Sequence, residues 1–337
     1  MLLSIVIPTR NRLGYLRSSL ASALAQRDVD VEVIVSDDGS NDGTVDFVRS
    51  VAAEDLRVRL LADNPNPGIF ENVEHALAAT RGDAFTILSD DDLLDPDFCR
   101  RLSEPMEADP GVVLTFCDHR TIDGQGRLLE RASQEVSRRN GRASLPDGPV
   151  ADPELVALRG GIWLGFTLYR RASFEDQRFD RACGTAADWD YAIRASQRGG
   201  VTYVAAMLGD YRDHRGTASR QGLKNESDLA MKVLTKHIMR EPRAERARRN
   251  MLRAAAKRNA YQMAAVDRAA ARRALALYRS LGGSPRSLHA LAARLILALP
   301  RPAALGTRAV LSAAATGARR LRDIVLPADG GRPEGGR

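Results

Sequence analysis

The sequence predicts an α/β protein, a mostly parallel sheet flanked by helices, followed by an α-helical C-terminal extension. Over the first ~120 residues, short β-rich apolar runs alternate with segments whose apolar residues recur at helical spacing. The runs are continuously apolar, as strands covered on both faces are. Charge then marks a division. Residues 1–224 carry 27 Lys+Arg against 35 Asp+Glu, whereas residues 225–337 carry 23 against 8.

The elements follow in order. "LSIVIP" is a first strand, and "RLGYLRSSLASALAQ" places Leu13, Leu16, Leu20 and Leu24 on one helical face. "VEVIVS" is a second strand, and "GTVDFVRSVAAE" a helix that Asp42 or Thr44 can cap. "VRLLAD" is a third strand. "GIFENVEHALAATRG" reads as a helix closed by Gly82, and "AFTILS" as the fourth strand. Asp95-Pro96-Asp97 before "FCRRL" suits a helix start. Residues 130–153 are polar, aperiodic and rich in Gly, Pro and Ser, and are expected to form a mobile loop. "GIWLGFTLYRRASF", a helix "DWDYAIRASQRGG" and a strand "VTYVAAMLGDYR" follow. The expected domains are 1–224, a helical region 225–327 and a disordered tail 328–337.

Cys99, Cys117 and Cys183 are odd in number and lack CxxC spacing, which points to a reducing compartment. The apolar N-terminus ends at Pro8 and reads as a strand rather than a signal peptide. No stretch reaches the ~20 apolar residues needed to span a bilayer. A cytoplasmic protein is expected, with a place at the inner face of the cell membrane.

Ligands of open parallel sheets sit beyond the carboxyl ends of the strands. Here those ends carry Pro8-Thr9-Arg10-Asn11, Asp37-Asp38-Gly39-Ser40, Asp63-Asn64 and Ser89-Asp90-Asp91-Asp92. Two acidic clusters facing one crevice would repel and raise each other's pKa. A divalent cation relieves that repulsion. Carboxylate oxygens suit Mg²⁺ or Mn²⁺, which keep positions open for phosphate oxygens. Asp37 and Asp38 also suit a turn, and Asp188 an N-cap for "WDYAIRASQ".

"SIVIPTRNR", "EVIVSDDGSNDGT", "NPGIFENVEHALAATRGDAFTILSDDDLLDPDF", "AADWDYAIRASQRGG" and "YRDH" occur in an order that resembles family 2 glycosyltransferases. The resemblance covers about residues 3–220. It implies the A-type nucleotide-sugar-binding fold (GT-A) and inverting transfer. It also implies that Pro8, Thr9, Arg10 and Asn11 line the nucleotide, that Asp38, beside Asp37, meets the base, and that Gly68 and Asn72 lie near the donor. Asp90, Asp91 and Asp92 match the family's acidic metal motif. Asp92 is the first choice for direct contact with Mn²⁺ or Mg²⁺, and Asp90 lies nearer the sugar or also at the metal. Asp188 matches the acid that acts as general base, with Asp190 behind it. His214 stands where a metal-shell side chain is expected, although it also reads as a surface histidine. Arg212 and Arg215 are candidate phosphate contacts. Trp163 and Trp189 are candidates to stack on acceptor sugars, or simply core residues. The implied partners are a nucleoside diphosphate sugar, of UDP or dTDP type, and a glycan or lipid-linked acceptor.

Two other classes fit parts of the pattern. A sugar-nucleotide pyrophosphorylase needs a Gly-rich basic loop after the first strand, and "PTRNRLGYL" holds one glycine. A non-catalytic nucleotide-sugar-binding pseudoenzyme would use the basic segment as a membrane tether. In that segment Arg246, Arg249, Arg253 and Lys257 form one stripe of a helix. Peripheral contact with an anionic membrane through residues 240–310 is one reading, and a solvated helical extension is the other. No nucleic-acid-binding signature is present, so nucleic acid is not an expected partner.

Overall fold

The computed structural model describes residues 1–63, 68–214 and 226–300, together with 303, 304 and 307. Asn64, Arg215 and the tail 328–337 lie outside the described residues. The chain divides into two compact units, Met1–Arg248 and Arg249–Arg337.

In the first unit, β1 (Leu2–Thr9), β2 (Asp30–Asp37), β3 (Val58–Leu61) and β4 (Ala84–Ile87) pair parallel in the order β3-β2-β1-β4. The helices α1 (Leu13–Leu24), α2 (Thr44–Glu54) and α3 (Ile69–Ala78) make the connections. Successive strand residues point to opposite faces. Leu3, Ile5 and Ile7 of β1 share a core with Leu16, Leu20 and Ala23 of α1, while Val6 and Ile34 pack against Ala76 of α3. Both faces are thus covered, which is why the strands read as unbroken apolar runs.

The chain continues through β5 (Leu93–Leu94), α4 (Phe98–Ala108), β6 (Val112–Asp123), α5 (Glu130–Asn140), β7 (Gly148–Pro149), α6 (Pro153–Leu158), β8 (Thr167–Arg170), α7 (Ala187–Ala195), β9 (Gly200–Asp213) and α8 (Glu226–Lys236). Among the described residues the sheet has nine strands. The order runs β3-β2-β1-β4-β8-β6-β9-β5, with β7 on β9. β8 enters antiparallel between β4 and β6, and β6 and β9 pair parallel. The sheet is therefore mixed beyond β4.

Two local expectations are corrected. Residues 130–140 form a helix rather than a loop. Its buried face is Ser133, Ser137 and Asn140, so no apolar periodicity betrays it. Ser133 Oγ accepts from the Thr121 N–H at 2.8 Å, and Ser137 donates to Asp118. Gly82 does not close α3, which ends at Ala78. Instead it lies so close to β1 that a Cβ would meet the Ser4 N at 2.8 Å. The helix start expected at Asp95-Pro96-Asp97 is where α4 begins: Asp97 is its N-cap residue, and Asp95 Oδ1 accepts the Asp97 N–H at 3.1 Å.

The first unit also runs past the expected boundary at 224, because α8 is tied to α7. Asp190 is fully buried. Its carboxylate meets Arg194 Nε at 2.9 Å, Lys236 Nζ at 2.8 Å and His237 Nε2 at 2.9 Å. Burial alone would raise its pKa, but these hydrogen bonds and the Arg194 charge outweigh burial and hold it far below 3.8.

The second unit contains the end of α9 (Pro242–Met263), then α10 (Arg268–Ser280) and α11 (Leu288–Ala298). α10 starts at Asp267, whose Oδ1 accepts the Ala270 N–H at 2.9 Å. Ala271, Ala274, Leu275 and Tyr278 of α10 are buried, as are Ala290, Ala293 and Ile296 of α11. Among the described residues no helix is long and apolar enough to cross a membrane.

Two changes test this packing. A Cβ at Gly209 of β9 would lie 2.3 Å from the Phe166 ring. Gly209→Ala is expected to lower unfolding free energy by about 1–3 kcal/mol in urea titration. Asp190→Asn should cost about 1–3 kcal/mol at neutral pH, since it removes the charged, fully buried acceptor shared by Arg194, Lys236 and His237. Asp190's stabilisation is complete above its unfolded pKa of 3.8 and lost as pH falls towards the lower folded value. The gap between wild type and variant should therefore close in acid. A gap that persists would assign the loss to packing alone.

Candidate active site

The ends of β1, β2 and β4 lie together, tied by hydrogen bonds between them. Pro8 and Thr9 of β1 pair in register with Ser36 and Asp37 of β2. The Asp38 N–H donates to the Thr9 carbonyl at 2.9 Å. Thr9 Oγ1 reaches across to Asp90 Oδ2 at 2.8 Å. Arg10 Nη1 lies 3.4 Å from Asp38 Oδ2, and the Gly68 N–H donates to Asp38 Oδ1 at 3.2 Å. Gly68 has φ +97°, which glycine adopts without strain. Asp37 accepts the Gly39 and Ser40 N–H groups with Oδ2, while its buried Oδ1 has no hydrogen-bond partner. Asn11, at φ 52°, joins the first two loops: its Oδ1 accepts the Asn41 N–H and its N–H donates to Ser40 Oγ, both at 2.8 Å.

The three adjacent aspartates are all buried, and each has different partners. Asp91 Oδ2 lies 2.6 Å from Arg12 Nη1 and 3.0 Å from His214 Nε2, and Ser89 Oγ donates to Oδ1 at 2.6 Å. Burial works to raise its pKa, but the Ser89 and His214 hydrogen bonds and the Arg12 charge bring it below the ordinary value. Asp90 is pushed up to about 6, chiefly by burial, with the Thr9 hydrogen bond opposing and the Asp91 charge adding. Asp92 Oδ1 accepts the Arg212 N–H at 2.8 Å, and burial drives its pKa well above the ordinary value. His214 packs its ring 4.9 Å from Tyr15.

Asp188 lies in the first turn of α7, and Ala186 rather than Asp188 occupies the N-cap position. Its Oδ1 accepts the Trp189 N–H at 2.7 Å. The residue is open to solvent, yet protein surrounds it on most sides and raises its pKa. Its charge is felt by Tyr169 of β8, the strand beside β4. Trp163 and Trp189 are half-buried, and their Nε1 groups donate to the carbonyls of Gly160 and Ala157 at 2.9 and 3.0 Å. The Trp163 ring lies 4.2 Å from that of His119, tilted by 43°.

Two sequence expectations do not hold. Asn72 is turned into the strand–helix interface, where Ser36 takes both ends of its amide at 2.6 and 2.8 Å. Its group is spent on holding α3 to β2. Arg212 is buried, and its guanidinium donates to the carbonyls of Asp91, Asp123 and Gly124 rather than standing free for phosphate. Arg12, Ser89 and Tyr15 were missed. Only their closeness to quoted motifs could have flagged them.

The donor set fits a divalent cation. Asp91 Oδ2 and His214 Nε2 already lie 3.0 Å apart, and Asp90 adds a second carboxylate beside them. Burial, with the Asp91 charge adding to it, raises the pKa of Asp90, and a nearby cation would favour its charged form. Among the described residues no three His, Cys, Asp or Glu side chains form a ready metal group. Two protein ligands completed by phosphate oxygens and water suit Mg²⁺ or Mn²⁺.

Comparison with known proteins agrees with this layout. Succinoglycan biosynthesis protein ExoO of Rhizobium meliloti is 30% identical over 220 residues, 64% of this chain and 62% of that protein. Chondroitin synthase of Escherichia coli is 25% identical over 240 residues, 71% of this chain and 33% of that protein. The GalNAc(5)-diNAcBac-PP-undecaprenol beta-1,3-glucosyltransferase of Campylobacter jejuni is 28% identical over 179 residues, 53% of this chain and 54% of that protein. The chain thus spans between a third and two thirds of these relatives. Two solved structures share the fold. TarS 1-349 of S. aureus with UDP-GlcNAc has TM-score 0.61 at 14% identity, covering 83% of this chain and 81% of that one. Mannosyltransferase PcManGT of Pyrobaculum calidifontis with GDP-Man and Mn²⁺ has TM-score 0.53 at 21% identity, covering 93% and 86%. Both place this chain in the GT-A fold. Residues 4–177 match glycosyl transferase family 2, and the chain belongs to that family.

Proposed function

We propose that the protein is an inverting glycosyltransferase. It moves a sugar from a nucleoside diphosphate donor, of UDP or dTDP type, to a glycan or lipid-linked saccharide. The observation that carries this reading is the convergence of Thr9, Asp38, Asp90 and Asp91 from three strand ends with His214. Asp38 and the backbone around Pro8, Thr9 and Arg10 receive the base and ribose, and the unpartnered Asp37 Oδ1 offers a further acceptor.

Asp91 and His214, with Asp90 beside them, would hold a divalent cation. This revises the first choice of Asp92, which fastens the end of β9 through the Arg212 N–H. When bound, the cation supplies positive charge against the diphosphate leaving group. Asp188 accepts the proton of the acceptor hydroxyl as its oxygen bonds to the anomeric carbon. The bond to the diphosphate breaks on the opposite face, which inverts the centre. The raised pKa of Asp188 makes it a better proton acceptor than an ordinary aspartate. Trp163 and Trp189 lie on the acceptor side. The donors named for TarS and PcManGT, a UDP sugar and a GDP sugar, support the donor class and leave the base to experiment.

Thermal shift with UDP, dTDP, GDP and CDP, each with and without Mn²⁺, tests the donor site. A matching nucleotide at ~100 times its dissociation constant adds ~2.7 kcal/mol. Asp91→Asn should abolish the Mn²⁺-dependent part of the shift. Asp188→Asn should leave that shift intact while lowering transfer by about 10²-fold or more. Loss of the shift in Asp188→Asn, or full turnover, would remove Asp188 from the role of base. Binding of the donor without transfer to any saccharide would favour a pseudoenzyme.

A further inference from the structure

Among the described residues, no acidic side chain lines the basic groove of the second unit. Between Arg268 and Arg322 the sequence has eleven arginines and no Asp or Glu. Arg272 and Arg279 of α10 lie one and two turns along one face with Leu275 between them. Together with Arg294 and Leu297 of α11 they line a groove of about 340 Å³. Buried arginine nitrogens normally find acceptors, yet among the described residues Arg294 Nε is buried without one. The groove thus offers three guanidinium groups over an apolar floor.

Beside it α11 exposes an apolar stripe. Leu288, Leu291 and Leu295, at offsets 0, 3 and 7, are 83%, 46% and 53% exposed. The opposite face of the same helix is buried through Ala290, Ala293 and Ile296. A helix polar on its outer side would hide those leucines. Here they stand in solvent next to arginines.

We infer that the α10–α11 pair docks on an anionic phospholipid bilayer, with Arg272, Arg279 and Arg294 receiving lipid phosphates and Leu288, Leu291 and Leu295 entering the acyl boundary. Each half of the arrangement needs the other. Guanidinium groups pair with phosphate bidentately, and exposed leucines gain by leaving water for the interface. A nucleic-acid backbone would satisfy the arginines but not the leucines. A second copy would cover the leucines but bring two strongly basic surfaces together. This inference does not depend on the transfer reaction, and its test uses no sugar nucleotide.

The test is vesicle co-sedimentation of the full chain. Phosphatidylglycerol mixed into phosphatidylcholine is compared with phosphatidylcholine alone. The mixed vesicles should bind at least about tenfold more tightly, and added salt should weaken that binding. Arg272→Glu with Arg279→Glu should cost about tenfold or more. Leu291→Ser with Leu295→Ser should remove the binding that persists at high salt. Both pairs lie on exposed positions, and unchanged far-UV circular dichroism melting would confirm that they fold. Inorganic phosphate at the lipid phosphate concentration should not displace the vesicles. The inference is overturned by equal binding to the two vesicle types, by insensitivity to either variant, or by displacement with phosphate. Self-association that Leu291→Ser with Leu295→Ser abolishes would also overturn it, by assigning the stripe to a second copy.

Discussion

Three consecutive carboxylates repel one another, and the first unit is arranged to give each a separate partner. Asp90 receives the Thr9 hydroxyl from β1, Asp91 receives Arg12 and His214, and Asp92 receives the Arg212 backbone N–H from β9. Those partners come from the ends of β1 and β9, strands far apart in the sheet order, so satisfying the aspartates also fixes where β9 ends. The compensation is incomplete. Asp91 is held in its charged form, while Asp90 and Asp92 are shifted the other way. A buried cluster in which one acid is charged and its neighbours resist ionisation is poised to gain from an incoming cation.

What the sequence discloses follows from which forces leave a trace in residue order. The strands were legible because both faces of the sheet are covered, so burial writes unbroken apolar runs. The acidic tips were legible because three adjacent aspartates have no purpose in a strand end. α5 left no such trace: it docks through Ser133 and Ser137, and small polar residues look the same in loops and in buried helix faces. Arg12 and Arg212 show the same gap for cations. One pairs with Asp91 and the other is buried against backbone carbonyls, yet sequence presents both as ordinary arginines. Asn72 misled because an amide can be spent internally, and Ser36 was distant in sequence. The boundary at 224 failed for a related reason. Lys236 and His237 belong with Asp190, more than forty residues earlier, and composition cannot see that pairing.

A second buried ionic group lies beneath Trp163. Arg142 is almost fully buried and pairs with Asp118 at 2.8 Å, where β6 and β9 slip register. Arg142 also donates to the Gly161 carbonyl at 3.1 Å and lies 5.6 Å from the Trp163 ring. Burial and the Arg142 charge keep His119 neutral beside it. Desolvating such a pair costs much of what the attraction returns, so its contribution to net stability is small. Its geometric effect is larger. It joins the β6 bulge, the turn after α5 and the segment carrying Trp163 at one point, which limits the positions that the tryptophan can take.

The division of charge along the chain gives these local features a common direction. Residues 1–224 carry net −8 and residues 225–337 net +15. A nucleoside diphosphate is itself an anion, and an acidic surface disfavours its approach unless a cation accompanies it. The same sign disfavours contact between the first segment and an anionic surface, while the second segment is drawn to it. Both effects are screened over about 8–10 Å at physiological salt, so they act through the groups that touch the ligand rather than through net charge. That is why the specific placements matter more than the totals: Asp91 beside His214 in the one segment, and Arg272, Arg279 and Arg294 around a groove with no acidic residue among its described lining in the other. A chain that kept its net charge but scattered these residues would lose both the acidic cluster at the strand ends and the basic groove.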